Sequence, residues 1–221
     1  MSPFFETTPA APKICGITKE TDAIVSIQAG AGALGFNFYP PSPRSIPWEA
    51  DLGWIKDLEK SFPDVARVAV VVNPNAVLLA TLRRSGYFNA IQFHGDESPE
   101  FCAREGKSFP YWIKALRVRS EEDLAAAKKF DTHYLLLDAT VPGSYGGSGH
   151  QLDWGLAAGF VASNRERRVI LAGGLTAENV AVAVEQVHPH AVDVASGVEL
   201  SPGVKAPQKI REFIAVATAV F

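Results

Sequence analysis

Cysteine is scarce in this chain: Cys15 and Cys102 are the only two among 221 residues. Two thiols cannot build a disulfide framework, and 87 positions apart they form no close redox pair, so the usage fits a reducing, cytoplasmic compartment. An excess of basic charge is missing as well. Lys and Arg total 21 against 24 Asp and Glu, and the formal charge of -3 offers no field to draw in a nucleic acid backbone. No stretch reaches the roughly 18 uninterrupted apolar residues of a membrane span. The first twelve residues, MSPFFETTPAAP, lack the basic segment and apolar run of a targeting peptide and read as a flexible lead-in, with Phe4 and Phe5 available to dock on the surface. There is no H-E-x-x-H pattern, no paired C-x-x-C, no Walker A loop and no G-x-G-x-x-G fingerprint, so no protein-bound metal is expected.

What is present is a globular composition, 47% hydrophobic and 20% charged, in a length that suits one domain, taken as 13–221. Eight short β-rich runs recur: KICGI, ALGFNF, RVAVVV, AIQFHG, YWIKAL, YLLLDA, RVILAG and AVDVAS. Measured between Ile14, Leu34, Val68, Ile91, Ile113, Leu135, Ile170 and Val192, they lie 20 to 35 residues apart, room for one helix in each gap. Helix signals fill several gaps. One helix stops at Gly30, another opens with Ser98 and Pro99, and a third opens with Ser120 as cap and Asp123 three residues on. The runs are continuously apolar, as parallel strands covered on both faces should be. Together these features predict a (β/α)8 TIM barrel, with an open doubly wound sheet as the competitor.

Polar residues at the ends of the runs favour closure. Cys15, His94, Asp138 and Gly173 all fall at carboxyl ends, the face where barrel enzymes gather their reactive groups. Cys15 is either a small buried hydrophobe or, given a modest positive potential, a base. Asp138 is either a turn carboxylate or a group that donates and accepts a proton. Arg44, stiffened by prolines at 40, 41 and 43, offers a two-pronged grip on a carboxylate or else is a solvated loop residue. Gly173 and Gly174 after the seventh run, with Ser196 and Gly197 after the eighth, suit backbone contacts to a phosphate. His94 either lines the pocket or orients another group, and Asp193 alternates with Val192 and Val194 in a way that can turn it inward near Cys15. The glycines at 143, 146, 147 and 149 describe either a loop that closes over substrate or a plain linker; His150 reads as a surface residue and Cys102 as helix packing.

The segments KICGIT, GALGFNFYPPSPRSI, IQFHGDE, LLLDA, LAGGLTAENV and VDVASGVELSPGVK, in this order from Lys13 to about Phe213, resemble the phosphoribosylanthranilate isomerase family of tryptophan biosynthesis. The resemblance implies a barrel of the ribulose-phosphate-binding type and an Amadori rearrangement of a small phosphorylated substrate, with no cofactor because the substrate's own imine is the electron sink. It implies Cys15 as general base, Asp138 as general acid, Arg44 on the anthranilate carboxylate, and phosphate against Gly173, Gly174, Ser196 and Gly197. His94 and Asp193 are candidate substrate contacts, and a monomer is favoured over a homodimer. Two departures stand out: the stretch after Asp138 is longer than the family's GGTG-type segment, and VKAP stands where relatives often have KD. The aminoimidazole carboxamide isomerase of histidine synthesis is the enzymatic alternative, but it typically carries aspartates on both the first and sixth strands, against which Cys15 argues. A non-catalytic phosphate-binding barrel is the alternative of another class.

Overall fold

A computed structural model of the chain describes residues 2–139 and 152–221. The glycine-rich stretch after Asp138, with its proposed closing motion and His150, lies outside the described residues. Eight parallel strands close into a barrel in sequence order: β1 (Lys13–Cys15), β2 (Ala33–Asn37), β3 (Ala66–Val71), β4 (Ala90–Phe93), β5 (Tyr111–Val118), β6 (Tyr134–Ala139), β7 (Arg168–Leu171) and β8 (Ala191–Val194). Closure rests on β8 pairing back to β1, with Lys13 in register with Asp193 and Ile14 with Val194. The barrel therefore replaces the open-sheet alternative, and all eight strands fall on the runs read from sequence.

Between them run α2 (Glu20–Ala29), α3 (Gly53–Ser61), α4 (Ala76–Ser85), α5 (Pro99–Gly106), α6 (Glu121–Ala125), α7 (Trp154–Ser163) and α8 (Val180–Val187), with α9 (Pro207–Val220) after the barrel. Local signals account for their ends. Gly30 ends α2 in the left-handed conformation, φ 107°, and Ser98 caps α5 by accepting a hydrogen bond from the Phe101 amide. Ser120 behaves differently from expectation: its side chain makes no cap bond, and Asp123 instead accepts from the Arg119 amide at 2.9 Å. The helix that follows lasts one turn before tightening into a 3-10 segment, Ala126–Lys129.

Strand parity sorts the core. Ile14, Leu34, Phe36, Val71, Ile91, Phe93, Leu135, Leu137 and Val169 face the helices, while Ala33, Ala66, Val68, Val70, Ala90, Ile113, Leu136, Ile170 and Ala191 fill the barrel. Small residues dominate the interior, which leaves a gap at its amino-terminal end. A turn of helix at the start of the chain, α1 (Pro3–Glu6), fills it: Phe4 and Phe5 are 1% and 0% exposed and belong to the same cluster as the inward strand residues. Within the segment read as a lead-in, the aromatic pair is therefore a plug in the barrel base rather than a surface decoration. Phe5 stacks on Tyr111 with centroids 4.1 Å apart, and its carbonyl accepts from the Tyr134 hydroxyl at 3.0 Å. The Phe4 carbonyl sits 2.9 Å from His190 Nε2.

Candidate active site

The parity that puts alanine and valine in the barrel also puts Lys13, Cys15, Asn37, Gln92, Asp138 and Asp193 on its inner side, where side chains at i and i+2 share a face. Near the carboxyl ends of the strands these groups open on one pocket. Cys15, Arg44, His94, Asp138, Gly173, Gly174, Asp193 and Ser196 all line it, so the structure brings together every sequence-predicted residue except Gly197. Gly197 lies next door, in a second depression shared with Gly174, Ser196 and Lys209.

Cys15 ends β1, is half-buried and lines the pocket. Burial pushes its thiol above the ordinary value, Lys13 pulls it down, Asp193 pushes it up and Lys205 pulls it down again. Asp138 ends β6 on the facing side, 5% exposed. His94 follows β4 and carries Nε2 3.3 Å from Asp138 Oδ2, while its Nδ1 is 2.9 Å from Gln92 Nε2. Nδ1 faces the Gln92 amide, and Nε2, although close to Asp138, makes no aligned hydrogen bond among the described residues. His94 thus lines the pocket beside Asp138. Its loop is braced from behind by a buried ion pair: Lys114 Nζ reaches Glu97 Oε2 and the Gly95 carbonyl, each at 2.8 Å.

Arg44 is neither solvated nor free. Its Nε and Nη2 donate to Glu199 Oε1 and Oε2 at 2.8 and 2.7 Å, a two-pronged bond that fixes the plane of a guanidinium lining the pocket. Glu199 begins the short hairpin β9 (Glu199–Ser201) and β10 (Val204–Lys205), and it also accepts from Lys205 Nζ at 2.9 Å. Burial works against the ionised carboxyl of Glu199, but Arg44 and Lys205 hold it below the ordinary range. Lys205 in turn donates to the Ala195 carbonyl at 2.9 Å, tying the arginine to the loop that carries Ser196. Asp193 accepts from Lys13 Nζ at 2.6 Å inside the barrel wall.

The two glycine loops pack against each other. A Cβ on Gly197 would stand 1.9 Å from the Leu175 carbonyl oxygen, so only glycine allows this approach. Asn179 stitches the first loop, donating to the Gly174 carbonyl at 3.0 Å and accepting from the Thr176 amide at 2.8 Å. Sequence reasoning assigned no role to Lys13, Gln92, Asn179, Glu199 or Lys205. The available signal was a charged side chain inside or beside an apolar strand, which must find a buried partner.

A closed barrel whose titratable groups converge at the carboxyl ends of its strands, beside paired glycine loops, is an enzyme built for proton transfer on a small anionic ligand. The family model described as N-(5'phosphoribosyl)anthranilate (PRA) isomerase matches residues 12–216, and the chain belongs to that family. An N-(5'-phosphoribosyl)anthranilate isomerase of Pelobacter propionicus is 45% identical over 206 residues, covering 93% of this chain and 94% of the relative. Among solved structures, monomers generated from the dimeric enzyme of Thermotoga maritima superpose with TM-score 0.79 at 34% identity, covering 95% of this chain and 98% of the other. Another, a phosphoribosyl anthranilate isomerase in complex with reduced 1-(o-carboxyphenylamino)-1-deoxyribulose 5-phosphate, superposes with TM-score 0.78 at 36% identity and the same coverage. Among the described residues no helix is long and apolar enough to cross a membrane.

Proposed function

We propose that this chain converts N-(5'-phosphoribosyl)anthranilate into 1-(2-carboxyphenylamino)-1-deoxyribulose 5-phosphate, with Cys15 as general base and Asp138 as general acid. The observation that carries the reading is that both groups open on one pocket whose remaining polar walls are an arginine and two glycine loops. The ligand of the related complex bears a carboxylate and a phosphate, which is what those walls suit. In this reading Asp138 gives its proton to the furanose oxygen, and the ring opens to an iminium at C1. The Cys15 thiolate takes the hydrogen from C2, leaving the enolamine. Tautomerisation then removes the C2 hydroxyl proton and adds one at C1, and proton exchange returns Cys15 and Asp138 to their starting states. Arg44 holds the anthranilate carboxylate, and Gly173, Gly174, Ser196 and Gly197 take the phosphate. Asp193 acts on the site through Lys13 rather than on the substrate.

We further propose a monomer, supported by the burial of Phe4 and Phe5 in the barrel's own base, and a cytoplasmic setting, supported by the unpaired Cys15 and Cys102.

The test is substrate choice. Freshly generated phosphoribosylanthranilate should lose its anthranilate-type fluorescence in the presence of the purified chain. The phosphoribosyl-formimino carboxamide substrate of histidine synthesis should not turn over. The reverse pattern would replace the reading with the alternative isomerase.

A further inference from the structure

Lys13 is a charged side chain with 0% exposure in the wall of a barrel, and the reaction as described above does not use it. It precedes Cys15 by two residues on β1, so both side chains project to the inner face. The point a Cβ would occupy on Gly35 of the neighbouring strand is 2.7 Å from Cys15 Sγ and 3.1 Å from Lys13 Nζ, so the two heads meet over a patch that only glycine leaves open. On its other side Lys13 Nζ holds Asp193 Oδ1 at 2.6 Å. Burial opposes the ammonium's charge, but Asp193 and the Cys15 sulfur more than offset it, and Lys13 stays protonated above the ordinary lysine value.

The charges around the thiol can be followed element by element. Lys13 comes from β1, Asp193 from β8 and Lys205 from β10; Arg44 lies against Gly16 with Glu199 behind it, and Asp138 with His94 closes the far wall. On the Cys15 side, three buried cationic side chains thus stand against two buried carboxylates. Burial pulls the Lys205 ammonium below the ordinary lysine value, which leaves Lys13 the more firmly charged of the two lysines on that wall.

Resting on the reading of Cys15 as the base, we propose that Lys13 is a positioning residue for the reaction: held by Asp193, its ammonium supplies the positive charge against which the Cys15 thiolate forms. Asp193 fixes Lys13 in place and partly spends its field, so the two residues act on the thiol with opposite sign. The ion pair is therefore an adjustable counter-charge, and its partner is the thiol rather than the substrate.

The experiment is the pH dependence of Cys15 alkylation by iodoacetamide, which reads the thiolate without substrate. Cys102 does not confuse it, being buried with its thiol pushed up to about 12. Lys13→Met should move the alkylation midpoint up by about one unit or more, a roughly ten-fold loss of reactivity below it, and should lower kcat over the same pH range with KM little changed. Lys13→Arg should recover part of both. Asp193→Asn should move the midpoint down. Because Lys13→Met strands a buried carboxylate, Lys13→Met/Asp193→Leu, which replaces the pair by apolar groups, is measured beside it and should also raise the midpoint. A midpoint unchanged in both the single and the double variant overturns the proposal. If Cys15→Ala keeps full turnover while the Lys13 variants shift alkylation as stated, the counter-charge stands and the base assignment falls.

Discussion

Arg44 and Glu199 show how a single residue acquires a role only through its neighbour. A free guanidinium on a loop samples many orientations, whereas one locked by two hydrogen bonds keeps a fixed plane, which in the proposed function suits the grip on a ligand carboxylate. Glu199→Gln keeps the shape but removes the charge and one acceptor. It should raise KM for phosphoribosylanthranilate by about ten-fold, in line with the loss of a charge-assisted bond, and leave kcat nearly intact. With the phosphoribosyl derivative of aniline, which has no carboxylate to hold, variant and parent should give the same KM; steady-state kinetics on the two substrates checks both. Cys15 and Asp138 were legible in the sequence because each stands at the carboxyl end of an apolar run. Glu199 was not, since its partner lies 155 positions away and only the fold makes them touch. Lys13 sat in plain sight two residues before Cys15, yet a lysine in a strand declares its burial only once its Asp193 partner is known.

At the scale of elements, the amino-terminal turn shows most clearly what sequence conceals. Two phenylalanines in a proline-rich dozen residues look like loose chain; what makes them core is the small size of Ala33, Ala66, Ala90 and Ala191 far along the sequence. Phe5→Ala should cost about 3 to 5 kcal/mol of unfolding free energy, the usual range for truncating a buried aromatic, while leaving kcat of the folded fraction unchanged; denaturant titration and kinetics decide it. The plug also carries a pH signature. Burial holds the His190 imidazole below its ordinary value, with Arg168 acting the same way and the bond to the Phe4 carbonyl opposing. Its contribution to stability is therefore present above about pH 6.5 and lost as pH falls from there through the depressed folded value. Thermal melts of the wild type should drop between pH 7 and pH 5, and His190→Gln should flatten that part of the decline. Helix ends were more legible than the plug, because Gly30 and Ser98 act on neighbours within one turn. Ser120 was misread because its spacing to Asp123 marks a helix start without fixing where its hydroxyl turns; it makes no cap bond, while Asp123 reaches back to the Arg119 amide.

For the whole molecule, strand count and order were readable because each parallel strand is buried on both faces and announces itself as an apolar run. Closure was not written in any local stretch, since it depends on β8 meeting β1 across most of the chain. It matters for function all the same: only a closed sheet brings the ends of β1 and β6 to the same pocket. The account's central claim is that a thiol and a carboxyl on facing walls of that pocket divide the proton transfers between them. Steady-state kinetics of Cys15→Ala and Asp138→Asn on phosphoribosylanthranilate tests it most directly. Each variant should lose kcat by about 10² to 10⁴-fold, the range typical of removing a positioned acid or base, with KM changed only a few-fold. Wild-type kcat in either variant would contradict the account.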